Sequence, residues 1–451
     1  MSSLFITNRG LTYHAGSAQA KIPCEIWSMI FVRCLPLQPP LAPGPRMGPR
    51  RRLAPLSLTA VCRQWRLVAL DTSQLWRYLH INLCSTPMHW DDRTLMEFAV
   101  VWFARSGSHR PLVFSVNRVG RRDLLGSYAV PVVLLYFSSR LQHIHLFSDR
   151  PWILYPISAK PDAFPVLEST AFSSVPMPSI NSVAAPRLRT MFIDRILQLD
   201  LAGWPALTYL NCGMANIHHL RLVFKNVPTL ERFSVGILAS NMWLPVPGTV
   251  LVHHNRLQQL ILRSRSSVFP LSYFRFPKLR VLAIKDDLNY ERELFGGFVQ
   301  AAMPALRSLY LDFPAGYTAF LLLQKLPFLV ELHVSNPDVL FTLNFFLELN
   351  GRNLFLGHLL PRLEQLTFRD CTVQLCSTWF RALANRSRDT AKTARLRCFR
   401  FFWPHVWIDN RLDDRTLDSV TALGRQGMKI FVGAVRENPD CAFFYRSEPL
   451  V

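Results

Sequence analysis

Beyond residue 140 the apolar positions recur in a unit that reads apolar-Pro-x-Leu-x-x-apolar-x-apolar. Phe164-Pro165-Val166-Leu167 leads to Phe172, Ala185-Pro186-Arg187-Leu188 to Met191 and Ile193, and Trp204-Pro205-Ala206-Leu207 to Leu210 and Cys212. Val227-Pro228-Thr229-Leu230, Phe276-Pro277-Lys278-Leu279, Met303-Pro304-Ala305-Leu306, Leu326-Pro327-Phe328-Leu329 and Leu360-Pro361-Arg362-Leu363 continue the set, and Leu141, Leu257 and Leu396 head copies without the proline. The heading leucines lie between 19 residues (Leu188 to Leu207) and 34 residues (Leu329 to Leu363) apart, mostly within the span of a solenoid repeat. Proline needs no ladder donor at the start of a strand, and the apolar residues after it alternate toward one face. No single unit can bury that face alone, so the pattern predicts short strands stacked into a shared core. Helical spacing over Val339 to Leu349 and Leu412 to Leu423 predicts inserted helices, and Met428 to Val432 reads as a last strand.

The N-terminal pattern is different. Over residues 22 to 35, Ile26, Ile30 and Cys34 fall one helical turn apart with Trp27, Phe31 and Leu35 on the adjoining stripe, an apolar face too wide for a simple surface helix. A Pro- and Gly-rich run from Pro36 to Pro55 predicts a mobile loop. After Ser57 a second helix is predicted from Leu58, Val61, Cys62, Trp65, Val68 and Ala69, ending at Asp71-Thr72-Ser73.

Ile22-Pro23-Cys24-Glu25-Ile26 with Ile30-Phe31 and Leu35, then Leu56-Ser57-Leu58, Val61-Cys62, Gln64-Trp65-Arg66 and Ala69, resembles an F-box of the form common among fungal proteins. The continuation Thr72 to Trp76, Leu79 to Leu83, and Arg105-Ser106-Gly107 leading into a strand at Pro111 to Phe114, resembles the segment that follows the box in that family. The Pro-rich insertion between the two halves is longer than in many F-boxes. The repeats resemble leucine-rich repeats in their strand signature, but only Leu363 to Cys371 carries the full Leu-x-x-Leu-x-apolar-x-x-Cys form. Uneven curvature is therefore expected.

The resemblance implies an α/β chain in which a small all-helical F-box precedes an irregular leucine-rich-repeat solenoid, a horseshoe of short parallel strands with helices and loops. The expected divisions are a disordered N-terminus over 1–20, the F-box over 21–80 with its Pro-rich loop at 36–55, and a connecting region and solenoid N-terminal cap over 81–135. The solenoid follows over 136–435 and a tail over 436–451. The resemblance further implies docking of a Skp-type adaptor, itself bound to a cullin scaffold in an SCF ubiquitin ligase. The residues carried over for that contact are Ile22, Pro23, Ile26, Ile30, Phe31, Leu35, Leu56, Leu58, Val61, Cys62 and Trp65. The solenoid would hold a substrate protein whose identity the residues do not name.

Composition narrows the alternatives. No run of 18 apolar residues exists, and the start of the chain lacks a secretory core, so a cytoplasmic or nuclear protein with no membrane partner is expected. Nine cysteines without regular spacing read as free thiols. A formal charge of +21 is concentrated partly in residues 1 to 85, where Glu25 and Asp71 are the acids, and partly in Arg386, Arg388, Lys392, Arg395, Arg397 and Arg400. The first segment suits an acidic partner. Arg50 to Arg52 reads either as a nuclear signal or phosphate contact, or as a solvated loop.

Catalytic and metal spacings are missing from the sequence. His218-His219 and His253-His254 are adjacent pairs whose side chains would diverge on a strand, His143 and His145 lack a third ligand, and Cys371 and Cys376 lack a second pair. Asp91-Asp92, Asp286-Asp287 and Asp413-Asp414 fit loop or helix-cap roles better than opposed carboxylates. Neither a cofactor nor an enzymatic activity of the chain itself is expected. The rival to the ligase reading is a non-catalytic protein- or nucleic-acid-binding scaffold acting outside a ubiquitin ligase, although repeat-core packing accounts for aromatics such as Phe345-Phe346 better than base stacking.

Overall fold

A computed structural model describes residues 22–35, 54–82, 92–118, 129–148, 163–173, 184–195, 204–237, 252–264, 274–285, 305–312, 323–349, 359–371, 377–388, 393–403 and 413–434. The expected N-terminal extension, most of the Pro-rich loop including Arg46 and Arg50 to Arg52, and the C-terminal tail lie outside the described residues.

The recurring Pro-x-Leu unit is a turn. In copy after copy the leucine N–H donates to the carbonyl of the apolar residue three positions earlier: Leu167 to Phe164 at 3.3 Å, Leu188 to Ala185 at 3.2 Å, Leu230 to Val227 at 3.2 Å, Leu279 to Phe276 at 3.1 Å and Leu363 to Leu360 at 3.0 Å. Proline therefore occupies the second place of a four-residue turn, where its fixed φ is suited and its missing N–H costs nothing. This corrects the expectation that it opens the strand. The strand begins two residues after the leucine, as at Ser169, Thr190 and Val281, and the leucine is buried beneath it.

Fourteen such strands form one sheet whose spatial order follows the chain. They are β1 (Tyr78–Asn82), β2 (Leu112–Arg118), β3 (Leu141–Ser148), β4 (Ser169–Ser173), β5 (Thr190–Arg195), β6 (Tyr209–Ala215) and β7 (Arg232–Ile237). A short β8 (Val252–His253) lies outside this sheet and pairs in parallel with β10 (Phe274–Arg275). The large sheet continues with β9 (Gln259–Ser264), β11 (Val281–Lys285), β12 (Ser308–Asp312), β13 (Glu331–Ser335), β14 (Gln365–Arg369), β15 (Cys398–Trp403) and β16 (Lys429–Ala434). Every pairing is parallel, and the register carries Leu282 beside Leu309, Leu309 beside Leu332 and Leu332 beside Leu366. The mixed α/β, solenoid-like architecture expected from the repeats is present, and its sheet starts at Tyr78, well before residue 136.

Alternate strand residues point into a continuous apolar core closed on the other side by turns and helices. The first three helices are α1 (Cys24–Arg33), α2 (Ala54–Thr59) and α3 (Arg63–Asp71). Next come α4 (Asp92–Ala104), α5 (Ala129–Phe137) and α6 (Ile217–Asn226), and later α7 (Val339–Leu349), α8 (Ser377–Arg388) and α9 (Asp414–Arg425). Helix α7 spans the expected residues and buries Phe341, Phe345 and Phe346, the last stacked on Trp379 of α8 at 4.5 Å. Helix α9 is capped by Asp413, whose carboxylate accepts from Thr416 N–H at 2.6 Å, which is the cap role expected of that acid pair. Asp91 and the pair at 286–287 lie outside the described residues.

Three expectations change. The single helix expected after Ser57 is two, α2 and α3, because extended Cys62 (φ −155°) breaks the chain and its thiol caps α3 by accepting from Trp65 N–H. Pro55, expected in the loop, is buried in α2. His218 and His219 lie on a helix and not a strand: Asn216 and His219 form a reciprocal cap at the start of α6. No helix among the described residues is long and apolar enough to cross a membrane.

Candidate functional site

In the N-terminal helices, α1 turns Trp27 and Phe31 inward, where they meet Trp65 of α3. The Trp27–Trp65 and Phe31–Trp65 ring centroids are each 4.9 Å apart, and Trp27–Phe31 are 5.8 Å apart. Thr72 at the end of α3 donates to Ser28 Oγ of α1 at 2.8 Å, tying the two helices across 44 residues of sequence. With the aromatics holding the inner face, the opposite face of α1 is left to solvent: Ile26 is 44% exposed, Met29 63% and Ile30 42%.

The residues carried over from the resemblance divide in two. Pro23, Ile26, Ile30, Leu56 and Val61 are exposed, while Ile22, Leu35, Leu58 and Trp65 are half-buried against the core, Phe31 is fully buried and Cys62 is a half-buried helix cap. Phe31, Trp65 and Cys62 thus shape the surface from beneath and do not form it. Met29 was overlooked although it lies three residues from Ile26 on the same helical stripe; Leu67 and Leu70 on α3 are likewise exposed and were overlooked.

No protein-family model and no curated protein matches this chain.

The module joins the sheet directly. Trp76, in the turn between α3 and β1, donates its indole N–H to Ala69 O at 2.8 Å, stacks edge-on against Trp102 of α4 at 4.8 Å and lies 4.6 Å beneath the Arg105 guanidinium. Only the residues 72–77 separate α3 from β1, so the exposed face of α1 is attached to the solenoid by packed aromatics.

On the sheet, the face opposite the core carries polar side chains interrupted by two small apolar clusters, Phe147, Ala171 and Phe192, and Ile261, Ala283 and Tyr310. Glu331 of β13 accepts from His333 Nε2 at 2.8 Å and from Tyr310 OH at 3.4 Å, and the Tyr310 and His333 rings stack at 4.3 Å. Burial pushes the Glu331 carboxyl up, but these hydrogen bonds outweigh it and hold it below its ordinary value; the Tyr310 hydroxyl is raised, by burial first and then by the neighbouring charge. Toward the first strands the same face bears His80, Ser115, His143 and His145. Among the described residues no group of three or more His, Cys, Asp or Glu is placed to hold a metal ion. His254 is a buried structural histidine, with Nε2 2.9 Å from Val227 O and Nδ1 accepting from Leu257 N–H at 3.1 Å. Cys371 is buried, and Cys376 lies outside the described residues.

Arg386, counted among the second basic cluster, belongs to the core. It is 4% exposed and donates to the carbonyls of Leu359 at 2.8 Å and Leu360 at 2.5 Å, and burial lowers its pKa to about 10.

Proposed function

We propose that this chain is the substrate-recognition subunit of an SCF-type ubiquitin ligase, docking a Skp-type adaptor through α1 to α3 and a target protein through the solenoid. The observation that carries the reading is the face of α1: Ile26, Met29 and Ile30 stand in solvent on a helix whose other side is fully packed. A helix with apolar residues on both faces, one covered and one bare, fits a module that completes its packing against a partner. The F-box resemblance of residues 22–69 supports a Skp-type adaptor as that partner. No reaction is assigned to the chain. It supplies proximity, holding target lysines near the conjugating enzyme, and the packed join at Trp76 keeps that spacing constant.

Co-purification with a Skp-type adaptor tests this. Ile26 and Ile30 are 44% and 42% exposed, so docking can add somewhat under half of a full side-chain burial at each; replacing both by Ala removes about 1–2.5 kcal/mol together, and retention of adaptor should fall by roughly five- to seventyfold. Because each side chain is only partly covered in the free chain, its melting temperature should fall much less than for truncation of a fully buried leucine such as Leu279. Failure of the wild-type chain to bind the adaptor at micromolar concentration overturns the proposal.

A further inference from the structure

We infer that the rim of the solenoid formed by the turns leading into β9 to β15 is a docking surface for an acidic, extended peptide segment, the substrate class of the ligase subunit proposed above. Residues just before each strand are stacked by a run of main-chain hydrogen bonds: Gln258 N–H donates to Glu231 O, Arg280 to Gln258 and Arg307 to Arg280, then Val330 to Arg307, Glu364 to Val330 and Arg397 to Glu364, the six distances lying between 2.8 and 2.9 Å. Parallel strands sit about 4.8 Å apart, so equivalent side chains form a file along the rim. That file reads Gln258, Arg280, Arg307, Val330, Glu364 and Arg397, and the file two residues earlier in the turns adds Arg256, Lys278, Arg362 and Arg395; the cations Arg256, Lys278, Arg280, Arg307, Arg362, Arg395 and Arg397 are all exposed, so positive charge outweighs the one acid along the rim. Among the described residues of these turns Glu364 is the one acid, and it is engaged by Arg397 at 3.3 Å.

Two further features select the partner. Phe328 is the exposed aromatic of this rim, and the guanidinium of Arg362 lies over its ring at 4.9 Å with that of Arg307 at 5.9 Å. Stacking on the one ring orients each guanidinium, and each keeps N–H groups for hydrogen bonds to an oxyanion although Arg307 Nη1 also faces the carbonyls of Leu306 and Phe328. This stacking also occupies the ring that a nucleic-acid base would need, so the surface offers charge recognition without a stacking platform. From β9 to β15 the rim crosses five strand spacings, roughly 24 Å, the length of about seven residues of extended peptide. Carboxylates and phosphorylated hydroxyls supply the same anionic chemistry, and the experiment separates them.

The inference rests on the solenoid being the substrate-bearing half, and adaptor capture is measured on the same proteins so that the two proposals fail separately. Fluorescence anisotropy of the full chain would use a labelled Glu-rich peptide, its Gln-substituted counterpart, a Ser-rich peptide with and without phosphate, and single-stranded oligothymidine. The Glu-rich or the phosphorylated peptide should bind at micromolar concentration, weaken as salt rises and identify which anion is preferred, while the Gln and unphosphorylated peptides should not bind. Arg280→Glu with Arg307→Glu and Arg362→Glu should reduce that affinity by roughly ten- to a hundredfold. The more conservative Arg280→Gln with Arg362→Gln guards against misfolding, and adaptor capture should be unchanged in both. Equal binding of the Gln peptide, tighter binding of oligothymidine, an unaffected Gln variant, or no peptide binding would each overturn the inference.

Discussion

Acidification should weaken the first repeats through a single imidazole, His145. It lies on β3 between Ser115 and Ala171, is 0% exposed, and among the described residues neither ring nitrogen has a hydrogen-bond partner. Burial drives its pKa from 6.5 to about 3, and the charges that His143 and His80 would carry push in the same direction. Because the folded value lies below the unfolded one, between about pH 3 and pH 6.5 the unfolded chain binds a proton that the fold refuses. Stability is therefore complete above pH 6.5 and is lost as pH falls through that window. One pKa unit corresponds to about 1.4 kcal/mol, so this ring alone should remove about 2 kcal/mol by about pH 5. The assay is denaturant unfolding, with amide exchange over β2 to β4, at about pH 7.5 and about pH 5, comparing wild type with His145→Leu. Leucine fills a similar volume without a titrating group, so the variant should keep its stability at the higher pH and lose about 2 kcal/mol less on acidification. His80 and His143 are also depressed by burial, but they are present in both proteins, and their contributions cancel in the difference because the substitution leaves their burial in place. Equal losses in the two proteins, or an NMR titration of His145 near 6.5, would refute the burial argument.

Arg386→Met should destabilise the chain by about 1–3 kcal/mol, because it takes the donor from the buried carbonyl of Leu359 and leaves the carbonyl of Leu360, a residue held at φ 50°, with the Leu363 N–H alone; urea unfolding would register the shift. Leu279→Ala and Leu306→Ala should each cost about 2–5 kcal/mol, since both leucines are at most 1% exposed, and calorimetry showing unchanged stability would remove the repeat core from the argument.

The repeats were legible because one chemical device recurs in them. A proline that fixes the turn, a leucine that closes it and an alternating strand leave the same trace each time, and Leu167, Leu188, Leu207, Leu230 and Leu279 are all buried as that trace requires. The helices between repeats were less legible. Leu220, Val223, Phe224 and Val227 carry a helical stripe behind the Asn216 cap, yet the adjacent histidines drew attention to strand geometry. Arg386 reads as surface charge in sequence, and only the left-handed turn at Leu360, which presents its carbonyl inward, explains why a cation is wanted there. On α1 the apolar stripes were plain, but which of them faces inward depends on Trp65, contributed from more than thirty residues away. Local pattern contains no record of that contact.

The correspondence between strand order and chain order has a consequence for how the molecule is made. Each strand of the large sheet pairs with the strand synthesised immediately before it, apart from the two short strands set aside in their own pair. A ribosome delivering the chain can thus lay down the sheet one row at a time, each new strand finding its template already in place, with no need to wait for a distant segment to close a long loop. At every moment of synthesis the growing tip is an edge awaiting its next strand; among the described residues the last strand of the sheet is β16, with Phe431 48% exposed upon it. Chaperones that shield nascent chains would find their task here renewed at each repeat, not concentrated at a single late step.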